Sequence, residues 1–245
     1  MLNMKKHRKV FLAGLALLFF MGAAARLRST SAWPVFSPAE REERPVYVLD
    51  AGHGGEDGGA VSASGVKESS INLAITNDLD RLFRFLGQST VLTRSDDVST
   101  HSDGAQTLRQ KKASDLKNRV ALVNATPDAV LVSIHQNSLP SVPSVHGAQV
   151  FYGAVAPSDV LAASVQAALN EGVNSGSEKH EKKIDPSIYL MKHVTCPAIL
   201  VECGFLSNAA ETEKLTEPDH QKKLAVIIAA GVLNADTEET EREAP

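Results

Sequence analysis

The sequence predicts a single α/β domain, one sheet with helices on its faces. Short apolar, β-branched runs recur along the chain, at 46–49, 90–93, 129–134, 147–152 and 198–201. Between most of them lie stretches whose apolar residues return every three or four positions, and this alternation of strand and helix is the mark of a layered α/β fold. No internal repeat competes with it. A length of 245 residues suits one good-sized domain with unstructured ends. The net charge of −4 argues against an electrostatic nucleic-acid binder, which needs a basic domain.

The first 44 residues differ from the rest. A basic segment at 1–9 precedes the apolar run VFLAGLALLFFMGAAA at 10–25, the composition of an export signal. Its length leaves cleavage near Ala23–Ala25 and retention as a membrane anchor both open. Either outcome puts the domain outside the cytoplasmic membrane. Residues 26–44, with two prolines and a charged run, read as a linker.

The domain is expected over 45–236. Its first strand, Val46–Leu49, runs into AGHGGEDGGA, where glycines permit a sharp turn and leave room beside the His53 imidazole. His53 therefore stands at the carboxyl end of a buried strand, where open α/β sheets build their sites. The glycine spacing fits neither common phosphate-binding pattern. A plain structural turn, with the histidine capping a backbone group, is the alternative to a metal ligand.

Glu68 follows fifteen positions after His53, with Ser69 and Ser70 as helix caps, and INLAITNDLDRLFRFLG carries an amphipathic helix to Gly87. A carboxylate in a first helical turn can simply answer the helix dipole. After the strand Thr90–Thr93, the polar segment Arg94–Lys112 reads as a long surface loop. The next helix places Ala113, Leu116, Val120 and Val123 on one face and Lys117, Asn118 and Arg119 elsewhere. The central strand Ala129–Ile134 then ends in His135, repeating the placement of His53; a satisfied core or edge histidine is the other reading.

Further on come the strand Gly147–Tyr152, a helix capped by Ser158 or Asp159, and the charged run Ser175–Pro186, read as a solvated loop. The last strand, Ala198–Val201, delivers Glu202. An acid abutting three apolar strand residues is costly to bury unpaired, so it has either chemistry to do or a cation such as Arg94 to meet. A helix over Lys222–Leu233 and an acidic, disordered tail at 237–245 close the chain. Cys196 and Cys203 flank an extended strand, which separates their Cα atoms by roughly 23 Å at ~3.3 Å per residue. A disulfide needs about 7 Å or less, so two free, buried thiols are expected.

His53, Glu68 and His135 together make a His₂Glu set, which suits one zinc ion with a fourth position for water. Glu202 adds an acid that is not a ligand. This is the equipment of metal-assisted hydrolysis, in which a metal polarises a carbonyl and a carboxylate moves the proton of water.

VLDAGHGGEDGGA, Glu68, the pair Thr93-Arg94, SIHQN and AILVECGFLSN, in that order, resemble the zinc-dependent N-acetylmuramoyl-L-alanine amidase family, catalytic type 3, from Pro45 to about Asn234. The resemblance implies a mixed, mostly parallel sheet of about six strands with helices on both faces. It implies that His53, Glu68 and His135 bind Zn²⁺, that Glu202 is the general acid/base, and that Arg94 and Asn137 support by hydrogen bonds. The implied reaction is hydrolysis of the amide between N-acetylmuramic acid and L-alanine in peptidoglycan. Within the family, KIDPSIYLMKHVTCPAILVECGFLSN is most like the germination-specific members that act on spore cortex, ahead of a deacetylase that completes muramic δ-lactam. An accessory protein is compatible with that reading. A Cys203 nucleophile paired with His135, a different cell-wall metallo-amidohydrolase, and a wall-binding protein without turnover are the competing readings.

Overall fold

The computed structural model describes residues 44–243, with side chains as far as residue 235. The expected segments at 1–9 and 10–25, nearly all of the linker at 26–44, and the last two residues of the tail lie outside the described residues. Among the described residues no helix is long and apolar enough to cross a membrane.

The described chain runs β1 (Val46–Ala51), α1 (Glu68–Phe85), β2 (Ser89–Leu92), α2 (Leu108–Ala125), β3 (Ala129–Asn137), β4 (Gln149–Tyr152), α3 (Ser158–Gly172), β5 (Lys182–Lys183), α4 (Tyr189–His193), β6 (Ala198–Phe205), α5 (Ala209–Thr216) and α6 (Pro218–Glu243). The strands form one sheet in the order β2-β1-β3-β6-β4-β5. β2, β1, β3 and β6 are mutually parallel, β4 is antiparallel to β6, and β5 is parallel to β4. This is the mixed, mostly parallel sheet of the α/β class expected from the sequence.

Strand side chains alternate between two covered faces, which explains the nearly continuous apolar runs of the central strands. Tyr47 and Leu49 of β1, Val132 and Ile134 of β3, and Ile199 and Val201 of β6 face α1, α3 and α6. Val48, Leu131, Ala198 and Leu200 face the other way, toward Val123 of α2 and Leu190 and Met191 of α4. On the first face, Ile71, Ile75, Leu79 and Phe83 form the buried stripe of α1, and Phe83 stacks on Tyr47 at 4.5 Å between centroids. α1 ends as expected: Gly87 takes a φ of 77° and returns its N–H to the Arg84 carbonyl at 3.1 Å.

Several boundaries differ from the sequence expectation. Neither Ser69 nor Ser70 caps α1; Lys67 occupies the cap position, and Ser69 is buried. The polar segment after Arg94 is loop only to Thr107, because Thr107 and Gln110 form a reciprocal capping box that starts α2. On α2, Val123 is buried and Leu116 and Val120 pack against its cluster, as expected, but Ala113 is exposed, and Asp115 and Arg119 are buried as well, Arg119 pairing with both Asp115 and Asp50. Pro157 occupies the cap position of α3. Ser158 instead bonds the Val155 carbonyl and accepts from the Ala198 N–H at 2.9 Å, tying the helix start to β6. The charged run after Ser175 contains the two-residue edge strand β5. Short helices α4 and α5 were not expected, and α6 carries its backbone through the acidic stretch to Glu243, where glutamates favour helix and no proline intervenes before Pro245. Cys196 and Cys203 are free and buried, as expected.

Candidate metal centre

β1 ends at Ala51, and the chain turns at once. The Gly52 N–H still pairs with the Ile134 carbonyl of β3 at 3.1 Å, and His53 follows with a φ of 62°. A side chain in that left-handed region costs on the order of 1 kcal/mol, a strain tolerated where surrounding contacts dictate the backbone. Two glycines are required by close approach. A methyl group added at Gly52 would run into the His135 ring, and one at Gly59 would lie 2.5 Å from Glu68 Oε2 and 2.7 Å from His53 Cδ2.

His135 lies inside β3, which continues to Asn137, and its register partner is Glu202 of β6. Glu68 arrives from the first residue of α1, 3% exposed. Its Oε1 lies 2.9 Å from His135 Nδ1 and accepts from the Gln136 N–H at 3.1 Å and from Asn72 Nδ2 at 3.2 Å. Its Oε2 lies 3.3 Å from His53 Nε2 and accepts from the Ala60 N–H at 2.9 Å. One ligand atom from each of His53, Glu68 and His135 lies within 4.8 Å of the other two. The three residues singled out by sequence therefore converge.

The electrostatics are those of donors gathered for a cation. Asp57 Oδ2 lies 3.0 Å from His53 Nδ1, which leaves Nε2 turned toward Glu68. Burial works to lower the His53 pKa, yet the bonds to Asp57 and Glu68 raise it to about 9. Burial pushes Glu68 up, and the two imidazoles overcome that and hold its carboxyl well below the usual range. Donors around a tetrahedral zinc at ~2.0–2.1 Å lie roughly 3.4 Å apart, close to the spacings of Glu68 with the two imidazole nitrogens. The residues present fit such an ion.

Glu202 shares the cleft of about 400 Å³ that the His53, Glu68 and His135 side chains open into. Its Oε2 is shielded from solvent and has no hydrogen-bond partner. Burial, joined by the Glu68 charge and opposed by the His135 and His53 charges, raises its pKa to about 7. That places a proton donor or acceptor at neutral pH. The Arg94–Glu202 ion pair is not made. Arg94 is 4% exposed and donates to the carbonyls of Ala51 (2.9 Å), Gly52 (3.1 Å), Ser69 (2.8 Å) and Asp96 (3.0 Å), bracing the turn before His53. Asn137 lines the cleft, and its Oδ1 accepts from the Ser138 N–H at 2.8 Å.

Cys203 points to the opposite face of the sheet, into the core under α1, α3 and α6. Burial and the neighbouring Glu202 push its thiol far above the ordinary range, which removes the thiolate that a nucleophile needs. Sequence reasoning missed the residues that hold the donors: Asp57 behind His53, and Asn72, whose Nδ2 also donates to the Gly52 carbonyl at 3.0 Å and whose Oδ1 accepts from Gln136 Nε2 at 3.2 Å. The spacing of four in His53–Asp57 and Glu68–Asn72 was the available signal.

Comparison with known proteins meets this geometry. The family described as N-acetylmuramoyl-L-alanine amidase matches residues 48–234. The chain belongs to that family. It is 32% identical over 229 residues to the germination-specific N-acetylmuramoyl-L-alanine amidase of Bacillus subtilis, covering 93% of this chain and 94% of that one. The structure of the CwlD amidase from Clostridioides difficile, in complex with the GerS lipoprotein, is similar at a TM-score of 0.76 and 36% identity, over 80% of this chain and all of that one. The catalytic domain of CwlV, an amidase from Bacillus (Paenibacillus) polymyxa, gives a TM-score of 0.65 at 30% identity over 80% of this chain and 98% of that one. As an N-acetylmuramoyl-L-alanine amidase, the enzyme is a hydrolase of peptidoglycan, and its six-stranded α/β fold is that of the amidases it resembles.

Proposed function

We propose that the enzyme is a zinc amidase that cuts the bond between the lactyl group of N-acetylmuramic acid and L-alanine, with His53, Glu68 and His135 as ligands and Glu202 as general acid/base. The observation that carries this is the convergence of three donor atoms within 4.8 Å beside a carboxylate whose buried Oε2 has no hydrogen-bond partner. Zinc bound there supplies a Lewis acid for the scissile carbonyl and an acidified water. Glu202 takes a proton from the attacking water as the C–O bond forms and returns it to the leaving nitrogen of L-alanine as the C–N bond then breaks. Asp57 fixes the His53 tautomer, while Asn72 and the Gln136 N–H aim the Glu68 carboxylate. Arg94 and Asn137 support the turn and the cleft wall.

The physiological setting we infer is spore cortex maturation, in which peptide removal prepares muramic acid for a later deacetylase and δ-lactam closure. Similarity to a germination-specific amidase supports it. The complex of the CwlD amidase with a lipoprotein supports an accessory partner for this chain as well. The basic segment and apolar run at 1–25 support export, with the segment cleaved or kept as a membrane anchor. Domain limits of 45–236 belong to the same reading.

The test is mass spectrometry of products after incubating the full chain, in mild detergent, with cortex-type peptidoglycan, with and without chelator and added zinc. Intact stem peptides beginning at L-alanine, lost with chelator and restored by zinc, are the expected result. Glycan fragments or shortened peptides would mean that another bond is cut.

A further inference from the structure

Beside Arg94, a second buried cation outside the donor set reaches the turn that carries His53. Arg119 comes from the middle of α2 and is 2% exposed. Its Nε donates to Asp115 Oδ2 at 2.7 Å, and its Nη1 donates to Asp50 Oδ1 at 2.6 Å and to the Ala51 carbonyl at 2.7 Å. Its Nη2 donates to the carbonyl of His53 itself at 2.6 Å. Asp50 is fixed in turn by the Ser133 hydroxyl at 2.6 Å and the Thr93 hydroxyl at 2.8 Å.

We propose that Arg119 is a positioning residue for the metal site, setting the left-handed backbone of His53 and through it the direction of the imidazole. The proposal rests on the zinc reading above. His53 is followed by Gly54 and Gly55, with φ of 140° and 60°, so the turn has little stiffness of its own. What it lacks is supplied from outside. Arg94 holds the carbonyls of residues 51 and 52, and Arg119 holds those of 51 and 53, so two guanidinium groups pin three consecutive peptide units. Neutralising Asp50 and Asp115 would need only a positive charge. Reaching the His53 carbonyl in the same pose needs the planar fork of arginine, which lysine lacks.

The experiment uses full-length Arg119→Met and Arg119→Lys chains beside wild type. Zinc affinity is measured by competition with a chromophoric chelator, and melting is followed both with excess chelator and at fixed free zinc. Loss of an outer hydrogen bond to a ligand typically lowers metal affinity by about 10–100-fold, and that loss is expected in both variants. A tenfold loss equals ~1.4 kcal/mol less stabilisation by zinc, so the zinc-induced rise in Tm shrinks. Should Arg119→Met fail to fold, Arg119→Lys keeps the buried charge and carries the test. Equal falls in Tm with and without zinc, at an affinity within threefold of wild type, would overturn the proposal and leave Arg119 as a counter-ion alone. A wild type that takes up no zinc would overturn the metal reading, and this one with it; wild-type uptake separates the two failures.

Discussion

His135 of β3 and Glu202 of β6 are register partners across a parallel ladder, so the sheet sets an imidazole and a carboxylate side by side on one face. The pair needs no loop to bring it together. Its spacing is fixed by backbone pairing among strands that are buried on both faces.

Replacing Glu202 should separate chemistry from metal binding. In Glu202→Gln, kcat should fall by about 10²–10⁴, the usual worth of a general acid/base, while zinc content by atomic absorption stays that of wild type. Loss of zinc in the variant would make Glu202 a ligand.

The same residue should weaken the metal-free fold as pH rises. Its pKa is lifted from 4.5 to about 7 in the folded chain, so the native state holds a proton that the unfolded state has released. Stability is therefore fully present below about pH 4.5 and declines as pH climbs to about 7. In excess chelator at pH 8, Glu202→Gln should be more stable than wild type, by on the order of 1–3 kcal/mol in urea titrations, with no difference at pH 4.5.

Asp50 should have the opposite sign. Burial raises its pKa, but Arg119 and the Ser133 hydroxyl outweigh that and bring it down to about 2. Its contribution is present above the unfolded value of about 3.9 and is lost as pH falls through about 2. Asp50→Asn leaves Arg119 with one buried carboxylate in place of two, and about 3–5 kcal/mol should disappear at pH 7 in denaturant unfolding.

Gly52→Ala should leave the fold recognisable by circular dichroism and damage the site. The added methyl group displaces the His135 ring. Zinc affinity should drop by about 10–100-fold, read by chelator competition.

Cys203→Ser should keep kcat/KM within about threefold of wild type. The thiol lies on the face of the sheet away from His135, and burial keeps it protonated. Loss of activity with zinc and fold intact would revive the thiol mechanism.

Much of this was legible in the sequence, for physical reasons. Strands covered on both faces read as unbroken apolar runs, and glycines around His53 announced both a turn and an emptied space. His135 could be placed because it follows such a run. Arg119 could not: its place on α2 reads as a polar face, and its partner Asp50 lies 69 positions away. The two-residue β5 and the five-residue α4 are too short to show a period. Ser69 and Ser158 suit caps by composition, but their burial against neighbouring elements gave them other places.

The parallel strands also decide how the enzyme can be handled. Arg44 and Pro45 lead into the first residue of β1, whereas the cleft opens past its last, a strand length of roughly 20 Å away at ~3.3 Å per residue. An affinity tag or a solid support joined ahead of residue 44 therefore meets the domain at the end remote from catalysis. An immobilised preparation attached that way should keep its mouth free for a polymer too large to diffuse around it.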